Sequence, residues 1–221
     1  MRLCLAFGVG SCSALNPQSS VLNPQSPVLN PGFQVLIYLH GFNSSPASFK
    51  ANLLKARMEA FGRGAEFAAP ALPHRPAQAA AQLDALVAKQ PGAALVGSSL
   101  GGYYATWLAE RHGSRAVLVN TAVRPYELLR TELGVQKNLY TGAEYKFTPQ
   151  HLDELRGLEV AQVTPERYLL LVATGDEVLD YRHAVEMYRG CRQIVVEGGD
   201  HGFSGFADYL DAVLEFCGMV R

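Results

Sequence analysis

The run Leu95-Val96-Gly97-Ser98-Ser99-Leu100-Gly101-Gly102-Tyr103 constrains the fold of this chain more than any other segment. It reads as the end of a buried strand, then Gly-x-Ser-x-Gly, then the start of a helix. A turn this sharp brings the backbone close to itself, and glycines on both flanks remove the Cβ atoms that would collide. The turn lifts the hydroxyl of the central Ser99 above the end of the strand. The helix behind it aims its unpaired amino-terminal N–H groups at the same point. The pentapeptide alone arises by chance; the strand before it and the helix after it give it weight.

The rest of the chain repeats that alternation. Strands are expected at Gln34–Leu39, Glu66–Ala69, Ala93–Gly97, Arg115–Asn120, Tyr168–Ala173 and Gln193–Glu197. The clearest are continuous apolar runs, as expected of parallel strands buried on both faces. Helices are expected from about Pro46 to Phe61, with Ser45 as cap and Pro46 in the first turn, then at Pro76–Lys89, Ser99–Arg111, Tyr181–Tyr188 and Phe203–Phe216. Six strand–helix alternations predict an α/β protein with a minimal six-stranded, mostly parallel, doubly wound sheet. Alternation breaks down between Arg124 and Arg167. Helix-like pieces there (Tyr126–Leu133 and Pro149–Leu155) predict a short helical cap, at about 124–167, over the functional face.

A chain of 221 residues can build one substantial core, and a single domain is expected over 32–221. Residues 1–31 are set apart from it. Leu15-Asn16-Pro17-Gln18-Ser19-Ser20-Val21 recurs nearly unchanged as Leu22–Val28 and begins again at Leu29-Asn30-Pro31. A proline in every repeat excludes a continuous helix, so this stretch is expected to be a disordered extension outside the fold. Met1 to Cys12 has the outline of an export signal, but its charged part is Arg2 alone and its apolar run is short. An extension without function, from a start codon placed too far upstream, is the favoured expectation. Export or lipid anchoring is the alternative.

The formal net charge is −1 and basic clusters are absent, which argues against a nucleic-acid partner. Cysteines at 4, 12, 191 and 217 lack metal-ligand spacing and are expected to be free thiols in a reducing, cytoplasmic compartment. No apolar run is long enough to span a bilayer. The sequence is silent on oligomeric state.

In a doubly wound sheet, ligands bind beyond the carboxyl ends of the strands, where strand order reverses. If the third strand returns beside the first, the loops His40-Gly41-Phe42 and Ser98-Ser99-Leu100 face each other there. Ser99 is then the candidate nucleophile, and the backbone N–H groups of Phe42 and Leu100 are the candidate oxyanion donors. A serine hydroxyl needs a base. Of six histidines, His201 lies in a glycine-rich loop after the last strand, whereas His40 is expected to brace the oxyanion loop. His74, His112, His151 and His183 fall in helices or connections. The base needs an orienting carboxylate, and Asp176 comes directly off a strand end. Asp180 is the second candidate, although it is better placed to cap the next helix. Glu177 is longer and is expected to point outward, and Asp200 would have to fold back on its own loop. The order Ser99, Asp176, His201 is that of the α/β-hydrolase fold, and this chemistry needs no metal or organic cofactor.

With these residues identified, the chain resembles the YqiA-like esterases, small bacterial α/β-hydrolases. The resemblance is carried by Tyr38-Leu39-His40-Gly41-Phe42-Asn43-Ser44-Ser45-Pro46, by Gly97 to Leu108, by Val123-Arg124-Pro125, by Thr174 to Arg182 and by Glu197-Gly198-Gly199-Asp200-His201. It runs from Phe33 to the C-terminus. It implies a cytoplasmic serine esterase acting on small-molecule substrates, namely short-chain esters and acyl-CoA thioesters, with Ser99, Asp176 and His201 at the triad positions. Asp200 stands where the family pattern has asparagine, placing an additional negative charge beside the base. The competing reading is an inactive α/β-hydrolase-fold binding or scaffold protein, against which the complete triad argues. Arg124 is read as an ion-paired loop anchor with Glu127 as partner, or alternatively as a contact for an anionic substrate group.

Overall fold

The computed structural model describes residues 34–220. The expectations for residues 1–31, including Cys4 and Cys12, lie outside them. The chain runs through β1 (Leu36–Leu39), α1 (Phe49–Ala60), β2 (Phe67–Ala68), α2 (Pro76–Ala88), β3 (Ala94–Ser98), α3 (Leu100–His112) and β4 (Ala116–Val119). It continues through α4 (Pro125–Leu128), β5 (Gly134–Lys137), β6 (Glu144–Phe147), α5 (Pro149–Arg156), β7 (Tyr168–Ala173), α6 (Tyr181–Met187), β8 (Arg192–Val196) and α7 (Leu210–Phe216). Six strands form one sheet in the order β2-β1-β3-β4-β7-β8, and every neighbouring pair is parallel. The order reverses between β1 and β3, which lie side by side with Leu39 opposite Gly97.

Period-two alternation along the strands divides the core into two layers. Leu36 and Tyr38 of β1, Val96 of β3 and Val117 of β4 pack against Leu54 and Met58 of α1 and Val213 and Leu214 of α7. Ile37, Leu39, Leu95 and Leu118 face the other way, onto Leu83 of α2, Leu108 of α3 and Leu155 of α5. Both faces of these strands are therefore covered, which is why they read as unbroken apolar runs.

The two glycines of the elbow are required by close approach. A methyl group on Gly101 would fall inside contact distance of the Leu39 carbonyl and 2.7 Å from the His40 carbonyl oxygen; one on Gly97 would sit 2.6 Å from the Gly102 Cα. These are backbone-to-backbone collisions that no side-chain rotation relieves. Gly101→Ala is therefore expected to destabilise the fold by about 3 kcal/mol, at the upper end of overpacking costs. A urea titration measures this as a lowered midpoint, and an unchanged midpoint would contradict the packing described here.

Two local expectations need correction. α1 begins at Phe49, three residues after Pro46, because Ser45 caps a tight turn and not the helix. Its Oγ accepts from the Ala47 N–H at 3.0 Å, and the Ser48 N–H donates to the Ser45 carbonyl at 3.1 Å. The segment after β4 adds to its helices an antiparallel hairpin, β5 against β6. Each of its strands has four residues, too short to display a period in the sequence. The hairpin is fastened to the loop after β1 by four hydrogen bonds. Asn43 Nδ2 donates to Gln136 Oε1 (2.9 Å) and the Tyr145 hydroxyl donates to Asn43 Oδ1 (2.6 Å). Asn138 Nδ2 donates to the Ser44 carbonyl (2.8 Å), and the Leu139 N–H to the Asn43 carbonyl (2.9 Å).

Candidate active site

Ser99 joins β3 to α3 with φ 54° and ψ −121°, a conformation that a residue with a Cβ adopts only under constraint. The constraint is visible in its backbone. Its N–H donates to the Val119 carbonyl at 3.1 Å, and its carbonyl accepts from the N–H groups of Gly102 (3.0 Å) and Ala122 (3.2 Å). The central strands thus hold the serine where its sequence pattern indicated.

His201 and Asp176 arrive on the adjoining loops after β8 and β7. These loops touch backbone to backbone: the Gly175 N–H donates to the Gly198 carbonyl at 2.7 Å, and a methyl group on Gly175 would lie 2.5 Å from the Gly199 carbonyl oxygen. His201 Nε2 lies 3.2 Å from Ser99 Oγ, and its Nδ1 lies 2.9 Å and 3.0 Å from the two Asp176 oxygens. Ser99, His201 and Asp176 therefore form one continuous chain of hydrogen bonds. Asp176 Oδ1 also accepts the N–H groups of Val178 (2.9 Å) and Leu179 (2.8 Å). Burial alone would raise the Asp176 pKa, but the bond to His201 and these two N–H groups outweigh it and hold the carboxyl below its ordinary range. An ionised carboxylate only accepts, so Nδ1 must donate to it. In the neutral ring, Nε2 is left to accept the Ser99 proton.

Two further side chains hold the histidine loop, and sequence reasoning missed both roles. Asn120, buried at the end of β4, accepts from the Ala173 N–H at 2.9 Å and donates to the carbonyls of Asp200 (2.9 Å) and His201 (3.1 Å). Its place at the same sheet edge as Ser99, directly after a strand, was the available signal. Glu177 is exposed, in line with the expectation that it points outward, and it also accepts the His201 N–H at 2.9 Å. Its extra methylene is what spans the gap to the neighbouring loop. Asp180 caps α6, accepting from the Arg182 N–H at 3.0 Å, and takes no part in the hydrogen-bond chain.

The remaining histidines are placed elsewhere. Nδ1 of buried His40 lies 3.0 Å from the Gly41 carbonyl oxygen, and its Nε2 accepts from the Leu72 N–H at 3.2 Å, so it braces the loop after β1. Burial lowers its pKa, with the Gly41 carbonyl opposing. His74 stacks on Tyr145, His112 bonds to Asp84, and His151 closes a capping box with Thr148. Phe42 lines the same cavity as Ser99, and Leu100 follows Ser99 as the first residue of α3. Neither backbone N–H donates to another group among the described residues, and a methyl group on neighbouring Gly41 would sit 3.2 Å from the Ser99 Cβ. Arg124 is paired with Glu159 at 3.9 Å, not with Glu127: the chain folds Glu159 back toward the start of α4, a long-range contact that sequence proximity could not reveal. Cys191 and Cys217 are free thiols, both raised by burial, to about 11 and about 12.

A cavity of about 550 Å³ opens over Ser99 and His201, lined by Tyr38, Phe42, Phe49, Lys50, Leu139 and Tyr140 among others. A larger one, about 610 Å³, lies beside Arg124 and His183 and does not reach Ser99. Among the described residues no helix is long and apolar enough to cross a membrane, and no cluster of three metal-ligating side chains occurs.

A model of the uncharacterised protein family UPF0227 matches residues 35–218. Among solved structures, Est1E from Butyrivibrio proteoclasticus is similar at 17% identity over 83% of this chain and 86% of that one, with a TM-score of 0.65. Alpha/beta hydrolase domain-containing protein 10 from mouse matches at 16% identity over 81% and 89%, with a TM-score of 0.60. The esterase domain of a Rhodothermus marinus protein matches at 16% identity over 87% and 88%, with a TM-score of 0.54. At these identities the likeness establishes the fold, an α/β-hydrolase sheet.

Proposed function

The chain belongs to the uncharacterised protein family UPF0227, the YqiA-like family, and from that membership and the geometry at Ser99 we propose that it is a serine esterase. The observation that carries this reading is the unbroken bond chain from Ser99 through His201 to Asp176. His201 Nε2 takes the Ser99 proton as Oγ attacks an ester carbonyl carbon. The tetrahedral oxyanion is received by the N–H groups of Phe42 and Leu100. Asp176 stabilises the imidazolium, which then gives its proton to the departing alkoxide. Water, deprotonated by the same nitrogen, attacks the acyl-enzyme and releases the acid. Acyl-CoA thioesters fall within the same chemistry, with a thiolate leaving in place of the alkoxide. The esterase domain among the fold neighbours agrees with this reading. Residues 124–167 are read as the cap that walls the substrate cavity.

A fluorophosphonate probe tests the proposal, because it needs only an activated serine and no knowledge of the substrate. One adduct is expected, located by peptide mass spectrometry on Ser99, and absent in Ser99→Ala. Folded protein that takes up no label would sink the reading.

A further inference from the structure

Lys50 stands apart from every other lysine described in this chain. It sits in the first turn of α1, and only 8% of it is exposed, although lysine tips ordinarily reach water and buried ones are ordinarily paired. Its ammonium donates to the Gly202 carbonyl, the residue directly after His201. An ammonium carries three donors, and the other two have no acceptor among the described residues. It forms no ion pair there either. The side chain lines the same 550 Å³ cavity as Ser99 and His201. The two remaining donors of this cation therefore face the cavity beside Ser99, free to meet an acceptor that arrives with the substrate.

The surroundings restrict what that acceptor is. Burial pulls the Lys50 pKa down to about 8, while the charges of Asp200 and Asp176 oppose the fall. Those two carboxylates are close enough to be felt, and they repel a dianion such as phosphate about twice as strongly as a monoanion. A single negative charge matches a single ammonium. The rest of the wall includes Phe42, Phe49, Leu139 and Tyr140, which suits an apolar spacer between the ester and the charge.

We propose that Lys50 binds a carboxylate at the far end of the substrate, so that the cavity over Ser99 selects monoesters of dicarboxylic acids. This rests on the serine-esterase reading and adds the substrate class to it. Lys50 is then a specificity-determining residue.

The test compares monomethyl esters of linear dicarboxylic acids, from succinic to suberic, with methyl esters of monocarboxylic acids of the same length. Acid release in a pH-stat gives kcat/KM for each. The wild type is expected to favour the charged ester by about 10- to 100-fold at one or two chain lengths, the range for a hydrogen bond to a charged group. A cationic counterpart, the methyl ester of an ω-amino acid, should be the poorest of the three. These wild-type comparisons need no variant to fold. In Lys50→Met the charged-to-neutral ratio should fall to about one, and Lys50→Arg should recover part of it. Neutral esters hydrolysed as well as charged ones at every length would overturn the proposal and leave the esterase reading intact. So would a preference that survives in Lys50→Met. Hydrolysis of none of these esters, with no fluorophosphonate label on Ser99, would overturn both.

Discussion

Replacing Ser99 with alanine is expected to lower kcat for p-nitrophenyl butyrate by on the order of 10⁶-fold, with KM changed only slightly. On the serine-esterase reading Oγ is the attacking atom, and among the described residues no other hydroxyl bonds to His201 Nε2. The variant keeps the elbow's backbone bonds, from Val119, Gly102 and Ala122, so its circular dichroism should match the wild type. The loss is also expected to be non-additive. Once Ser99 is gone, His201 has no proton to take, and adding His201→Ala should cost almost nothing more. Steady-state kinetics on the single and double variants measures both points. A Ser99→Ala protein within tenfold of wild-type kcat would place the chemistry elsewhere.

The second large effect is expected at Asp176. Asp176→Asn preserves shape, and its amide oxygen can still accept the Val178 and Leu179 N–H groups that Oδ1 accepts now. That choice turns the NH₂ toward His201 Nδ1. Two donors cannot face each other, so the ring must place its proton on Nε2, where it can no longer accept from Ser99. A fall in kcat of roughly 10⁴-fold is expected for such a tautomer error, with the fold retained. Asp176→Asn also removes a titration. Because the native carboxyl lies below its ordinary range, its ionised form stabilises the fold fully above the unfolded value near ~4. That contribution disappears as pH falls through the lower native value. The asparagine variant has no such term, so its stability deficit relative to wild type should shrink below about pH 4. Urea titrations at several acidic pH values measure the gap, and a deficit constant with pH would contradict the assignment.

Ser99 was legible because its constraints are local: two glycines within four residues and a buried strand directly before them. The sheet order followed from the alternation of apolar runs with helices, and the meeting of the loops after β1 and β3 followed from the sheet order. What stayed hidden depends on distant partners. Asn120 reads as the polar end of a strand until the end of β7 and the loop after β8 arrive to be bonded. Glu177 is solvent-facing, and its bond to the His201 N–H appears only when the β8 loop comes within its reach. Arg124 has an acidic neighbour in sequence, yet the chain delivers Glu159 instead. The β5–β6 hairpin escaped for another reason. Four residues give two turns of a period-two pattern, too few to separate from helix or loop.

The strand that delivers His201 is β8, at the border of the sheet, with β7 as its only neighbour among the described residues. Ser99 hangs from β3, paired on both sides. The proposed base and nucleophile therefore belong to parts of the molecule with different resistance to opening. Border strands detach at a smaller free-energy cost than central ones. A momentary peeling of β8 withdraws the proton acceptor while leaving the serine seated in an otherwise native protein. Asn120, bonded from the interior to the end of β7 and to the loop after β8, acts as the latch against that motion. On the serine-esterase reading, activity is expected to be lost through this edge before the molecule as a whole unfolds.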